Sequence, residues 1–217
     1  MEPLPFISTP YTEHWVAWTV FSLLLAIVLV KVFEPTLYVR AFSSLLGTKE
    51  RDSIFVGSGV NLKSILVLIL YGIVVLALVV QWILSEEKGF DLGDFGILAA
   101  IVVAMLLVRY VMQGVTAFIF YKGDTLTSFR RHYMYLNVCL VLLLFPVVLL
   151  AFFTHVPHTI VTIIISTLLI LYLLLLIYKI LVLLPLSLYT LLYLPLYILT
   201  VEILPLLLML YVAAVIY

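Results

Sequence analysis

Two charged side chains stand inside runs that otherwise carry no charge: Arg109 and Glu202. An arginine at the centre of a membrane helix costs about 2.5–3.5 kcal/mol on insertion scales, so such a residue normally faces the bundle interior and has a partner. Glu202 lies about halfway along the last apolar segment, at a depth that matches Arg109 if that segment runs from inside to outside. Opposite charges at matched depth predict a buried ion pair. Two kinds of chemistry follow. One is a polar pathway or anionic-ligand site, with Glu202 as a proton acceptor when unpaired. The other is a pair that fixes the register of the bundle and meets no substrate. Pro205, three residues beyond Glu202, frees the carbonyl of Val201 one turn back. Helices broken beside a charge recur at transporter sites. Pro195 is expected to add a second kink.

Other residues carry weaker signals. His14, His155 and His158 gather near one membrane face, but a single His-x-x-His spacing reads as interfacial polar residues, and no metal site is expected. Lys122, Arg130 and Arg131 suit lipid headgroups or an acidic partner, and equally the ordinary basic bias of cytoplasmic loops. Tyr189, Tyr193 and Tyr197 recur every four residues and would stack along one helix face. The single cysteine, Cys139, permits neither an internal disulfide nor a cysteine-rich metal site. There is no P-loop, zincin motif, nucleophile elbow or dinucleotide fingerprint. No catalytic residue and no cofactor are expected.

The elements that must position Arg109 and Glu202 follow from composition. Of the 217 residues, 66% are hydrophobic and only 10% are charged. Soluble domains carry about 25% charged residues, so lipid must be the solvent for most of this chain. Formal net charge is zero, and no basic field points to nucleic acid. The fold class is an all-α polytopic membrane bundle forming one domain over residues 1–217. Spans are expected near residues 15–32, 64–84, 95–120, 133–153, 159–178 and 186–216, the last one kinked. The final segment is long enough to leave a seventh span open. Without a basic region before it, the first run reads as a retained span rather than a cleaved leader.

Orientation comes from the loops. Lys31, Arg40, Lys49, Arg51, Lys63, Lys122, Arg130, Arg131 and Lys179 fall on one side of the predicted topology. The other side has Lys88 among Glu86, Glu87, Asp91 and Asp94. The positive-inside rule puts the first group in the cytoplasm and the N-terminus outside. Within the first loop, Leu37, Tyr38, Ala41, Phe42, Leu45 and Leu46 form a helical stripe between Pro35 and Gly47. This predicts an amphipathic helix at the cytoplasmic interface.

The closing stretch Tyr197-Ile-Leu-Thr-Val-Glu202-Ile-Leu-Pro205 resembles the bacterial membrane-protein family known as domain of unknown function 4271, found chiefly in Bacteroidota. That family's last span usually reads Tyr-Leu-Cys, two residues, then Glu-Ile-x-Pro. The match falls on Tyr197, Glu202, Ile203 and Pro205. Thr200 stands near the family's usual cysteine, and the lysine common after the proline is missing. A first span closing on Lys31, Tyr133 opening the fourth and Tyr178-Lys179 ending the fifth agree with the same family. The resemblance implies an inner-membrane location and makes Glu202 and Pro205 family features. It implies no activity.

Short loops and leucine-rich faces suit helix–helix packing. The leading expectation is therefore a non-enzymatic scaffold or subunit of a membrane assembly. Its partners would be the bilayer and either another membrane protein or further copies of itself. A small transporter or lipid-handling protein, using the site at Arg109 and Glu202, is the second. An intramembrane enzyme on a lipid-linked substrate is the third.

Overall fold

The computed structural model describes residues 14–46, 62–88, 91–120, 123–154, 156–183 and 197–216. All regular structure among them is helical: α1 (His14–Phe33), α2 (Leu37–Leu46), α3 (Leu62–Lys88), α4 (Leu92–Phe120), α5 (Gly123–Phe153) and α6 (His158–Leu183). A π-helical segment (Ile198–Ile203) then leads directly into α7 (Leu204–Ile216). Helices α1, α3, α4, α5 and α6 are long and apolar enough to cross a membrane. The stretch Ile198–Met209 is a shorter apolar helix. Residues 186–196 of the expected sixth span, Pro195 among them, lie outside the described residues, as does Gly47.

Polar turns extend several helices beyond their apolar runs. Helix α5 begins at Gly123, ten residues before the uncharged stretch that opens at Tyr133. Hydropathy marks where the chain meets lipid, whereas a helix persists into water as long as its backbone hydrogen bonds hold. Pro146 sits within α5, and the helix continues through it. A helix interrupted by proline in a membrane can satisfy its freed carbonyl from neighbouring groups.

The core lies where α1, α3, α5 and α6 meet. Val16, Val20 and Leu23 recur at helical spacing on α1 and pack with Tyr71, Val75, Leu78 and Trp82 of α3. Leu144, Val148, Ala151 and Phe152 of α5 and Val161 and Ile165 of α6 complete the cluster. One end of it is closed by aromatic contacts. The Trp82 and His158 rings stack at 5.3 Å, and His158 Nε2 lies 2.9 Å from the Trp82 carbonyl oxygen. Gln81, fully buried, donates to the Asp91 carbonyl at 3.1 Å.

Helix α2 does more than float in an interface. Leu37 and Ala41, one turn apart, are fully buried against Tyr135, Val138 and Cys139 of α5. The Tyr38 hydroxyl donates to the Ile27 carbonyl at 2.8 Å and ties α2 back to α1. Burial pushes the Tyr38 phenol up to about 12. Val39 and Phe42 remain exposed on the opposite side, so the amphipathic stripe is divided between the bundle and its surroundings.

Candidate functional site

Arg109 is carried inward by the stripe it belongs to. Leu98, Val102 and Met105 precede it on α4 at steps of four and three, and they pack on Ala77 and Val80 of α3 and on Met209 of α7. The opposite face of α4, with Leu107, Val108, Tyr110 and Val111, is exposed. On the last helical stretch Glu202, Pro205 and Met209 are buried, again at steps of three and four. One register therefore aims both charges at the same place.

There they meet. The Arg109 guanidinium donates through Nη2 to Glu202 Oε2, and the same nitrogen donates to the Tyr172 hydroxyl at 2.7 Å. The Tyr133 hydroxyl donates to Glu202 Oε1 at 3.0 Å. Tyr172 in turn donates to Asn137 Oδ1 at 3.0 Å. Both carboxylate oxygens are thus engaged, and the chain of bonds links α4, α5, α6 and the π-helical segment. The two phenol rings also flank the cation, 5.0 Å (Tyr133) and 5.8 Å (Tyr172) from the guanidinium carbon. At that distance the negative ring faces add a cation–π attraction. The Glu202 side chain is 2% exposed and that of Arg109 14%. Arg109 Nε is buried and makes no hydrogen bond.

The backbone around Glu202 is irregular. Residues 198–203 form a π-helical turn whose end is marked by the Leu204 N–H donating to the Leu199 carbonyl, five residues back. Pro205 follows at once and has no N–H to return the chain to an α-turn. Such wide turns are rare and concentrate at functional positions. Val201 and Glu202, within this turn, are both buried.

Arg109 stands closer to one end of the bundle than the other. Eleven residues separate it from Phe120 and seventeen from Leu92, roughly 16 Å and 26 Å of helix. It lies level with Tyr133, at the start of the apolar stretch of α5. The cluster is therefore displaced toward the end where the sequence places its basic loops.

Of the residues singled out by sequence, the structure brings together Arg109 and Glu202, with Pro205 adjoining. Lys122 and Pro195 lie outside the described residues. Arg130 and Arg131 fall on the early turns of α5, and their side chains are also outside the described part. Tyr197 packs beside Tyr133 and Tyr172, while Tyr189, Tyr193 and His155 are not among the described residues. Sequence reasoning missed the roles of Tyr133, Asn137 and Tyr172. The available signal was the presence of polar atoms inside apolar runs at the depth of Arg109.

No curated protein and no solved structure matches this chain. A family model described as Domain of unknown function (DUF4271) matches residues 16–213. That is nearly the whole chain, including every described member of the cluster, and the protein belongs to the DUF4271 family.

Proposed function

We propose that this protein is a non-enzymatic integral protein of the bacterial inner membrane that scaffolds a larger membrane assembly or serves as one of its subunits. The carrying observation is the closure of the polar cluster. Glu202 has both oxygens taken, by Arg109 and Tyr133, and so offers no open carboxylate for proton transfer. A closed pair across four elements is best suited to holding their register. Residues 186–216 form the sixth span in this reading, with the N-terminus outside. Lys122, Arg130 and Arg131 meet cytoplasmic lipid headgroups. The exposed apolar faces of α1 and α4 meet lipid, a membrane-protein partner or a second copy.

A second reading, a small transporter or lipid-handling protein, is favoured by one observation: the π-turn at Glu202 that ends on Pro205. Native purification in mild detergent, with mass spectrometry of all co-purifying proteins and lipids, separates the two. A stoichiometric protein partner or a defined homo-oligomer is the expected result. A lone protein retaining one defined lipid or small molecule would overturn the scaffold reading in favour of the second.

A further inference from the structure

We propose that α2 lies in the plane of the membrane, sunk to the level of the first acyl carbons, and that its outward face binds an anionic phospholipid. The acyl chains pack on Val39 and Phe42, and Lys31 and Lys63 attract the headgroup. This goes beyond the scaffold reading and does not depend on it, because the lipid exchanges with the surrounding leaflet and leaves the closed Arg109–Glu202 cluster untouched.

Depth carries the argument. Helix α2 has ten residues, about 15 Å of helix, and cannot cross a hydrocarbon layer of about 30 Å. Glu34, Pro35 and Thr36 alone separate it from α1. The Leu37 N–H donates to the Glu34 carbonyl at 3.1 Å, so α2 must begin beside the end of α1. Its surroundings fix how far in it sits. On α1 they are Val30, in the same cluster as Leu37 and Ala41, and Ile27, whose carbonyl accepts from the Tyr38 hydroxyl. These lie three and six residues before Phe33, where that apolar helix ends. On α3 the cluster takes in Val67 and Leu68, four and five residues past Lys63, where the apolar span begins. On α5 it takes in Tyr135, Val138 and Cys139, two to six residues past Tyr133, the start of that span. At about 1.5 Å per residue, all three helices place α2 roughly 3–9 Å inside the ends of the apolar spans. Interfacial amphipathic helices sit at about that depth, 5–10 Å into the boundary between headgroups and acyl chains.

The faces of α2 then divide. Leu37 and Ala41 are fully buried against the bundle. Tyr38 reaches inward to Ile27. Val39 and Phe42 are exposed. An exposed apolar face at this depth lies below the level where water ends, so acyl chains cover it.

Charge selects the headgroup. Lys31, in the last turn of α1, and Lys63, at the start of α3, are both exposed. Lysines near the end of a span keep the ammonium at the headgroups while the stem lies along apolar surface. The acidic neighbour is Glu34, between α1 and α2. Two cations against one carboxylate leave a positive excess. The acidic residues Asp91 and Asp94 belong to the other end of the bundle, at the start of α4. Each lysine near a membrane surface favours an anionic over a neutral lipid by about fivefold, an effect that salt screens.

A local reporter tests both parts. The full chain carrying Cys139→Ala and Val39→Cys is labelled with bimane at position 39 and reconstituted in phosphatidylcholine vesicles. Quenching is measured with iodide in the water and with lipids carrying a doxyl group high or low on the acyl chain, attached to phosphatidylglycerol or phosphatidylcholine. The label should be quenched by the high doxyl position more than by the low one, and little by iodide. Doxyl phosphatidylglycerol should quench at a mole fraction at least fivefold lower than doxyl phosphatidylcholine. High salt, or Lys31→Gln with Lys63→Gln, should remove that difference. The salt arm needs no lysine variant, so it decides the charge question even if the double variant does not fold. Strong quenching by iodide would put α2 in water and overturn the proposal. Protection from every quencher would mean that protein covers this face, and would overturn it too. Equal quenching by the two lipids, or a preference that survives high salt, would overturn the choice of an anionic headgroup.

Discussion

Tyr133 and Arg109 grip opposite oxygens of one carboxylate: Tyr133 holds Oε1 of Glu202 at 3.0 Å while Arg109 holds Oε2. The phenol is also stacked beneath the guanidinium, 5.0 Å from its carbon. The hydrogen-bonding hydroxyl and the cation-facing ring thus belong to a single side chain. Replacing that side chain tests two interactions at once, and Phe and Ala separate them. Tyr133→Phe removes the hydroxyl and its bond to a charged acceptor while keeping the ring, and should cost about 1.5–3 kcal/mol. Tyr133→Ala removes the ring as well and should cost more. Unfolding of the purified protein in mixed detergent micelles, followed by circular dichroism, measures both. Equal losses for the two variants would mean that the ring contributes nothing.

Removing either charge leaves the other buried alone. Arg109→Gln or Glu202→Gln should each cost about 3–5 kcal/mol. Exchanging them, Arg109→Glu with Glu202→Arg, should recover most of that loss, since the pair is restored at the same depth. If the exchange unfolds as readily as the single variants, geometry specific to the original orientation matters more than charge balance.

Pro205 presents an inversion of the usual rule. Alanine is about 3 kcal/mol better than proline in a helix interior. Here Pro205→Ala would return an N–H able to close an α-turn on the Val201 carbonyl. That turn rotates Glu202 away from Arg109 and Tyr133. The expected outcome is a protein no more stable than wild type, in which Glu202→Gln now costs less than it does in wild type. A double-mutant cycle on thermal stability reads this coupling. Full additivity would show that the wide turn does not depend on the proline.

Tyr38 predicts an alkaline transition. Its phenol is raised by burial from 10.0 to about 12, so the folded state favours the protonated hydroxyl that donates to Ile27. The stabilisation is complete below pH 10 and is lost as pH rises through about 12. Absorbance titration of phenolate in wild type and Tyr38→Phe should show one late-titrating tyrosine that the variant lacks. The stability of Tyr38→Phe should then be less sensitive to pH over that interval.

Much of the architecture was legible in the chain. Uncharged runs long enough to cross hydrocarbon stand out because an exposed backbone polar group in lipid costs several kcal/mol, so a helix is the one solution a single segment has. Arg109 and Glu202 were legible for the same reason. An ionised side chain in such a run has to be paired, and each was the obvious counterpart of the other. The stripe on α2 was equally visible, but that Leu37 and Ala41 bury against α5 was not, since an amphipathic face reads the same whether lipid or protein covers it.

The chain by itself determined which of the described segments are helices apolar enough to lie in lipid, and that two charges must find each other. The tertiary structure decided the rest. It placed Arg109 level with Tyr133, toward one end of the bundle. It recruited Tyr133, Asn137 and Tyr172, because a tyrosine or asparagine in an apolar run declares no partner until neighbouring helices are docked at a definite height. It also turned the break before Pro205 into a π-turn. Proline dictates that a regular hydrogen bond is missing, but only the position of Arg109 on another helix decides how far the backbone must rotate to bring Glu202 to it.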